Sequence, residues 1–142
     1  MSAGAVVLVD TGPLVALFDP SDRDHARCKR ALAQLRRSRR VTSLAVVTEA
    51  AYLLGFSRRA QQALLAFIAA GAVEIAEVGA AQVSRAAALM ERFESLPMDF
   101  ADATLVVLAE TLQTTSVFTL DQRDFGVYRL GRRAFRLIPA PE

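Results

Sequence analysis

Val6-Val7-Leu8-Val9-Asp10-Thr11-Gly12-Pro13 passes from strand to turn to helix. Four apolar residues in a row, three of them β-branched, suit a strand covered on both faces. Pro13 follows where a first-turn proline is tolerated, because its missing N–H would have no helical partner there. Asp10 is thereby placed at the carboxyl end of a buried strand and at the start of a helix. That position suits both a helix cap and a ligand-binding acid.

Outward from this unit the alternation continues. Ala26, Ala31, Leu32 and Leu35 recur at helical spacing and predict a helix from about Asp22 to Arg37; Val41 to Leu44 reads as a second strand. A helix from about Ala45 to Leu54 is closed by Gly55. Ser57 caps the next helix, Leu64, Leu65 and Ile68 draw its apolar face, and Gly71 ends it. Ala72 to Val78 is the third expected strand. Val83, Ala87, Met90 and Phe93 mark a helix that Ser95-Leu96-Pro97 breaks. A new helix opens at Asp99 and runs to about Leu112, followed by strands at Ser116 to Leu120 and Phe135 to Ile138. Continuously apolar strands separated by helices imply an α/β domain, residues 1–142, built on a parallel five-stranded sheet covered on both faces.

Composition limits the class. A chain of 142 residues with 53% hydrophobic content can bury a full core, and no apolar run approaches the roughly 20 residues of a membrane span. Met1-Ser2-Ala3-Gly4 carries no basic leader or cleavage pattern, and the single cysteine, Cys28, has no internal partner. Both fit a reducing cytoplasm. Sixteen of the 17 basic residues are arginine, Lys29 being the one lysine, and arginine grips phosphate bidentately. The formal charge of +2 becomes +6 once four carboxylates are set aside as ligands, a balance that favours a polyanionic partner. An arginine-rich composition alone would give the same count.

The chemistry rests on acids near strand ends. Asp10 ends the first strand and Asp121 lies just past the fourth, in Thr119-Leu120-Asp121-Gln122-Arg123-Asp124-Phe125. If the strand order is 3-2-1-4-5, strands one and four are neighbours at the reversal of chain order, where ligand sites gather, and the two acids face each other. Glu49 interrupts an otherwise apolar helix and needs a partner or a metal. Asp99 and Asp102 share a helix face through their i, i+3 spacing. Carboxylates packed together repel one another, and an oxygen-preferring divalent cation removes that penalty, with Mg²⁺ or Mn²⁺ the natural choice. Zinc is disfavoured, since His25 and Cys28 are the only imidazole and thiol. One histidine likewise cannot supply both acid and base for a metal-free ribonuclease mechanism.

Taken together, Leu8-Val9-Asp10-Thr11, Glu49 within apolar helix, Asp99-Phe100-Ala101-Asp102-Ala103 and Thr119 to Phe125 resemble the successive motifs of PIN-domain ribonucleases, most closely the VapC toxins of type II toxin–antitoxin pairs. The resemblance covers nearly the whole chain, in order. It implies a three-layer α/β/α fold and a metal-dependent endoribonuclease with Asp10, Glu49, Asp102 and Asp121 as metal-binding and catalytic residues. Thr11 and Thr119 would support them, and Asp124 would be an outer ligand. It also implies an RNA substrate, a homodimer and a cognate antitoxin that inserts a segment near the site.

Other readings compete. Asp10 and Asp99 stand where helix caps stand, Asp102 where the helix dipole favours an acid, and Glu49 on a helix whose face toward solvent the sequence leaves open. Arg36-Arg37-Ser38-Arg39-Arg40 follows a helix C-terminus, a favourable place for cations whether or not RNA is bound. An aspartyl-phosphate phosphatase would need an acid at Gly12, and a receiver domain a lysine near its acidic pocket; neither is present. A non-catalytic PIN-like module binding RNA or protein is the main alternative to the enzyme.

Overall fold

A computed structural model describes residues 4–141, so the Met1-Ser2-Ala3 segment read above lies outside the described residues. Its elements run β1 (Val6–Val9), α1 (Thr11–Phe18), α2 (His25–Gln34), β2 (Arg39–Thr42), α3 (Leu44–Leu53), α4 (Arg58–Ala69), β3 (Glu74–Ile75), α5 (Ala80–Arg92) and α6 (Phe100–Leu112). The chain continues through β4 (Ser116–Phe118), α7 (Gln122–Phe125), β5 (Arg129–Leu130), β6 (Arg133–Ala134) and β7 (Arg136–Ile138).

The central sheet has the order β3-β2-β1-β4-β7, and every pair in it is parallel. This is the expected order, the fifth strand of the sequence reading being the seventh along the chain. Helices cover both faces in a three-layer α/β/α arrangement. Two strands were not anticipated: β5 and β6 form a separate antiparallel hairpin whose residues Arg133 and Ala134 are exposed. Without an apolar face to bury, they leave no periodic signal.

Strand and helix limits shift where side chains decide them. The third strand shrinks from Ala72–Val78 to Glu74–Ile75 at the sheet edge, both residues exposed. Gly71, at φ +84°, makes the left-handed turn that ends α4. Three expected apolar faces differ in part: α2 and α4 bury the expected Ala31, Leu64 and Ile68, and the face of α5 is rotated. In α2 the buried residues are Cys28 and Ala31, with Ala26 exposed; in α4 Leu65 is exposed while Ala60, Leu64 and Ile68 are buried; in α5 Ala86 and Leu89 are buried and Val83 is not. In each case an alanine or cysteine takes the tight packing position, which size permits and hydropathy alone does not reveal.

The core centres on β1 and α6. Val7, Leu8 and Val9 are buried, and α6 buries the unbroken stretch Ala103 to Ala109, so this helix lies within the fold rather than along its surface. Its start is fixed by Asp99, whose side chain accepts from Asp102 N at 2.8 Å, and its end by Gln113 in the left-handed conformation. A buried lock joins α3 to α6: Thr104 donates to Ala101 O at 2.7 Å, and Ser43 Oγ lies 2.8 Å from Thr104 Oγ1 while accepting from Val46 N. The two helices that carry Glu49 and Asp102 are therefore held in register. No helix of the described residues is long and apolar enough to cross a membrane.

Candidate active site

At the carboxyl ends of β1 and β4 lies a cleft of about 360 Å³ whose lining includes Asp10, Asp22, Glu49, Asp99, Asp102, Asp121 and Asp124 and, among the described residues, no Lys, Arg or His. Two larger hollows lie nearby. The larger, of about 590 Å³, is lined mainly by Leu44, Ile75, Val78, Val83 and Phe100, with Glu77 the only acid among the described residues there, so these residues lack the groups for acid–base or metal chemistry.

Each acid reaches the cleft by a different local cause. Asp10 occupies the N-cap position of α1, yet its side chain makes no cap hydrogen bond; Thr119 at the end of β4 donates to Asp10 Oδ2 at 2.7 Å instead. Gly12 lets the start of α1 approach the segment carrying Asp121, since a Cβ there would come within 3.3 Å of Leu120 Cβ. Asp121 caps α7, accepting from Asp124 N at 3.0 Å, and its own N–H donates to Thr119 Oγ1 at 2.9 Å. Thr119 is thus fully buried between two acids, donor to one side chain and acceptor from the other backbone. Asp102 projects from the first turn of α6 and accepts from the Tyr128 hydroxyl at 3.2 Å. Glu49 comes from α3, half-buried.

The structure brings all four expected ligands into one cleft with Thr11, Asp99 and Asp124, and Thr119 contacts Asp10 and Asp121, but the acids are not equally close. Carboxylate oxygens of Asp102, Asp121 and Asp124 lie within 4.8 Å of one another. Asp124, expected only as an outer ligand, belongs to this tight group. Asp99 both caps α6 and lines the cleft. The sequence reading missed Asp22 and Tyr128. Asp22 sits in the turn between α1 and α2, where Asp19 Oδ1 accepts from Ser21 N and Asp22 Oδ1 accepts from Asp24 N, and no periodicity points to the cleft. Tyr128 is fully buried, and only the tertiary fold brings it to Asp102.

Crowding shows in the electrostatics. Burial, followed by the charges of Asp10 and Asp99, pushes the Asp102 carboxyl up to about 8. Burial raises Asp10 to about 6, with Asp121 and Glu49 adding and the Thr119 hydrogen bond opposing. Glu49 is also raised, first by burial and then by Asp99; the Thr11 hydroxyl opposes that rise without completing a hydrogen bond. Asp124 rises through burial and its contact with Asp121, against the neighbouring Arg123. At neutral pH such a group stays fully ionised only beside a cation. The donor set suits a hard ion, being all carboxylate oxygen, and Thr11 Oγ1, buried at the cleft without a hydrogen-bond partner among the described residues, adds one more oxygen. His25 takes no part: its Nδ1 is 2.7 Å from Ala16 O.

Comparison with known proteins gives a consistent result. A family profile for the PIN domain matches residues 7–130. Ribonuclease VapC26 of Mycobacterium tuberculosis is 35% identical over 136 residues, spanning 94% of this chain and 100% of that protein. The fold is shared with Mycobacterium tuberculosis VapC20, a sarcin–ricin loop cleaving toxin, at a TM-score of 0.76 and 24% identity over 82% of this chain and 91% of that one. It is also shared with a chain of Rickettsia felis VapBC2 bound to a promoter DNA fragment, at a TM-score of 0.65 and 16% identity over 93% and 96% of the two chains.

Proposed function

The chain belongs to the PIN-domain family, and from that premise we propose that it is a metal-dependent endoribonuclease, the toxin of a toxin–antitoxin pair, acting in the cytoplasm. Its metal-binding and catalytic residues are Asp10, Glu49, Asp102 and Asp121. Thr11, Asp99, Thr119 and Asp124 support them, and the ion is Mg²⁺ or Mn²⁺. The observation that carries this reading is the convergence of seven carboxylates from five separate segments on one cleft that no basic side chain of the described residues lines. The kinship to a ribonuclease at 35% identity supplies the substrate class.

The chemistry that a divalent ion supplies when bound is activation of a water, alignment of the phosphate and stabilisation of charge on the leaving oxygen. The protein's own contribution is to hold the acids. Thr119 keeps Asp10 oriented and lowers its pKa; the Ser43–Thr104 contact fixes the spacing of the helices that bear Glu49 and Asp102; Asp121 and Asp124 are linked through the first turn of α7. The exposed Arg23 and Arg123, adjacent in sequence to the acids Asp22 and Asp124, provide cations for RNA phosphates beside the cleft. Hydrolysis then leaves a 3′-hydroxyl and a 5′-phosphate. Single-stranded or looped RNA is the expected substrate, since the major groove of an A-form duplex is too narrow for side chains to read.

A protein partner is supported by the surface beside the site. Leu44, Tyr52 and Phe56 on and after α3 are 62%, 82% and 69% exposed. The adjoining hollow, lined by Ala45, Thr48, Tyr52 and Phe100, reaches Glu49 and Asp99. An apolar strip continuous with an acidic cleft suits a second copy of the chain or an antitoxin segment. A non-catalytic binding module would use the same strip, so the chemistry must be tested directly. Purified chain is incubated with total cellular RNA in Mn²⁺, Mg²⁺ or EDTA, alongside folded Asp10→Asn. Discrete products that need metal and Asp10, with ligatable 5′-phosphates, are expected; metal-independent cleavage, or equal cleavage by the variant, would refute the mechanism.

A further inference from the structure

We infer that Tyr128 is a positioning residue for Asp102: its hydroxyl holds one carboxylate oxygen so that the acid meets a divalent cation already oriented. This rests on the proposed metal site and adds to it a residue outside the cleft lining.

The case begins with burial. Tyr128 is fully buried, and its ring packs edge-on against Phe93 at 5.3 Å and Phe125 at 5.1 Å between centroids. Phenylalanine would satisfy that packing equally well. The hydroxyl therefore has a different reason to be there, because a buried O–H without a partner costs stability. Among the described residues its one acceptor is Asp102 Oδ2, at 3.2 Å. No described residue donates to Asp102 Oδ1, and one carboxylate oxygen of Asp102 belongs to the close group with Asp121 and Asp124.

The backbone holding the tyrosine is itself clamped. Tyr128 N donates to Asp124 O at 3.0 Å, so the ring hangs from the same short segment that carries Asp121 and Asp124. Arg129 Nη1 donates to the carbonyls of Gly126, Val127 and Tyr128 at 2.8, 3.1 and 2.9 Å, closing the turn from behind. Through one side chain, the segment bearing two acids is tied to the α6 acid that completes their close group. Groups that hydrogen-bond a metal ligand typically change metal affinity by about 10- to 100-fold when removed.

Mn²⁺ binding measured by isothermal titration tests this on the wild-type chain and on Tyr128→Phe, Asp102→Asn and Phe93→Leu. The expected result is that Asp102→Asn binds weakest, that Tyr128→Phe loses about tenfold in affinity, and that Phe93→Leu, which loosens the ring packing but keeps the hydroxyl, binds as the wild type does. Unchanged affinity in Tyr128→Phe beside weakened Asp102→Asn overturns the role of Tyr128 alone, as does an equal loss in Tyr128→Phe and Phe93→Leu, which would assign the effect to packing. No binding by the wild type, or none of it lost in Asp102→Asn, overturns the metal site and the role of Tyr128 with it.

Discussion

Thr119 donates its hydroxyl proton to Asp10 Oδ2 across 2.7 Å, joining the ends of the two central strands through a contact between residues 109 apart in sequence. Thr119 Oγ1 also accepts from Asp121 N, so one small buried side chain orders acids on both sides of the chain reversal.

Replacing Thr119 with valine should therefore act twice. Loss of the donor removes the contact that lowers the pKa of Asp10, and loss of the acceptor leaves Asp121 N without its partner, costing about 1–3 kcal/mol of stability. Cleavage at neutral pH falls and its optimum moves to higher pH, whereas Thr119→Ser keeps both contacts and most activity. Urea unfolding and pH–rate profiles on the two variants check this; an unshifted valine profile would show that Thr119 does not govern Asp10.

Metal-free stability should decline as pH rises. The Asp10 carboxyl moves from 3.8 to about 6 on folding, so the folded chain holds the proton more tightly than the unfolded one. Its contribution is complete below pH 3.8 and is lost as pH climbs through 6, amounting to about 3 kcal/mol. Asp102, raised to about 8, extends the decline in the same direction to that pH. Melting curves from pH 4 to 8 in EDTA should fall, and added Mn²⁺ should flatten them. A metal-free melting temperature rising over that range would contradict the crowded-acid electrostatics.

Asp10→Asn should separate stability from function. An amide oxygen still accepts from Thr119, while the buried charge is gone, so at pH 8 without metal the variant should gain up to about 3 kcal/mol even as cleavage is abolished. Chemical denaturation beside the RNA assay measures both; a destabilised variant would mean that the charge is already compensated within the protein.

Thr104→Val should break the lock between α3 and α6. The Ser43 hydroxyl loses its buried partner, at a cost of about 1–3 kcal/mol, and Glu49 loses its fixed distance from Asp102. The activating Mn²⁺ concentration should rise more than the maximal rate falls. Titrating the metal in the cleavage assay distinguishes this from simple unfolding.

Cys28 should be inert in the native chain. It is fully buried, and burial with the nearby Asp24 and Asp22 pushes its thiol up to about 11. Iodoacetamide at pH 8 should label it only after denaturation; rapid native labelling would show that α2 opens locally.

From sequence alone came the parallel sheet with its strand order and the acids that would meet at its carboxyl edge. A continuously apolar strand such as Val6 to Val9 permits few environments, and strand-end acids such as Asp10 and Asp121 inherit their place from topology. Helix ends were legible where a cap is chemically distinctive, as at Ser57 and Gly71. The tertiary structure alone decided which neighbours each acid has. That Asp124 joins the tight group, that Asp22 enters from a loop, and that a tyrosine buried between two phenylalanines hydrogen-bonds Asp102 all depend on packing between segments distant in sequence. Periodicity records which face of an element is buried; it carries no record of what that face meets, because long-range contacts are chosen by shape and volume rather than by spacing along the chain.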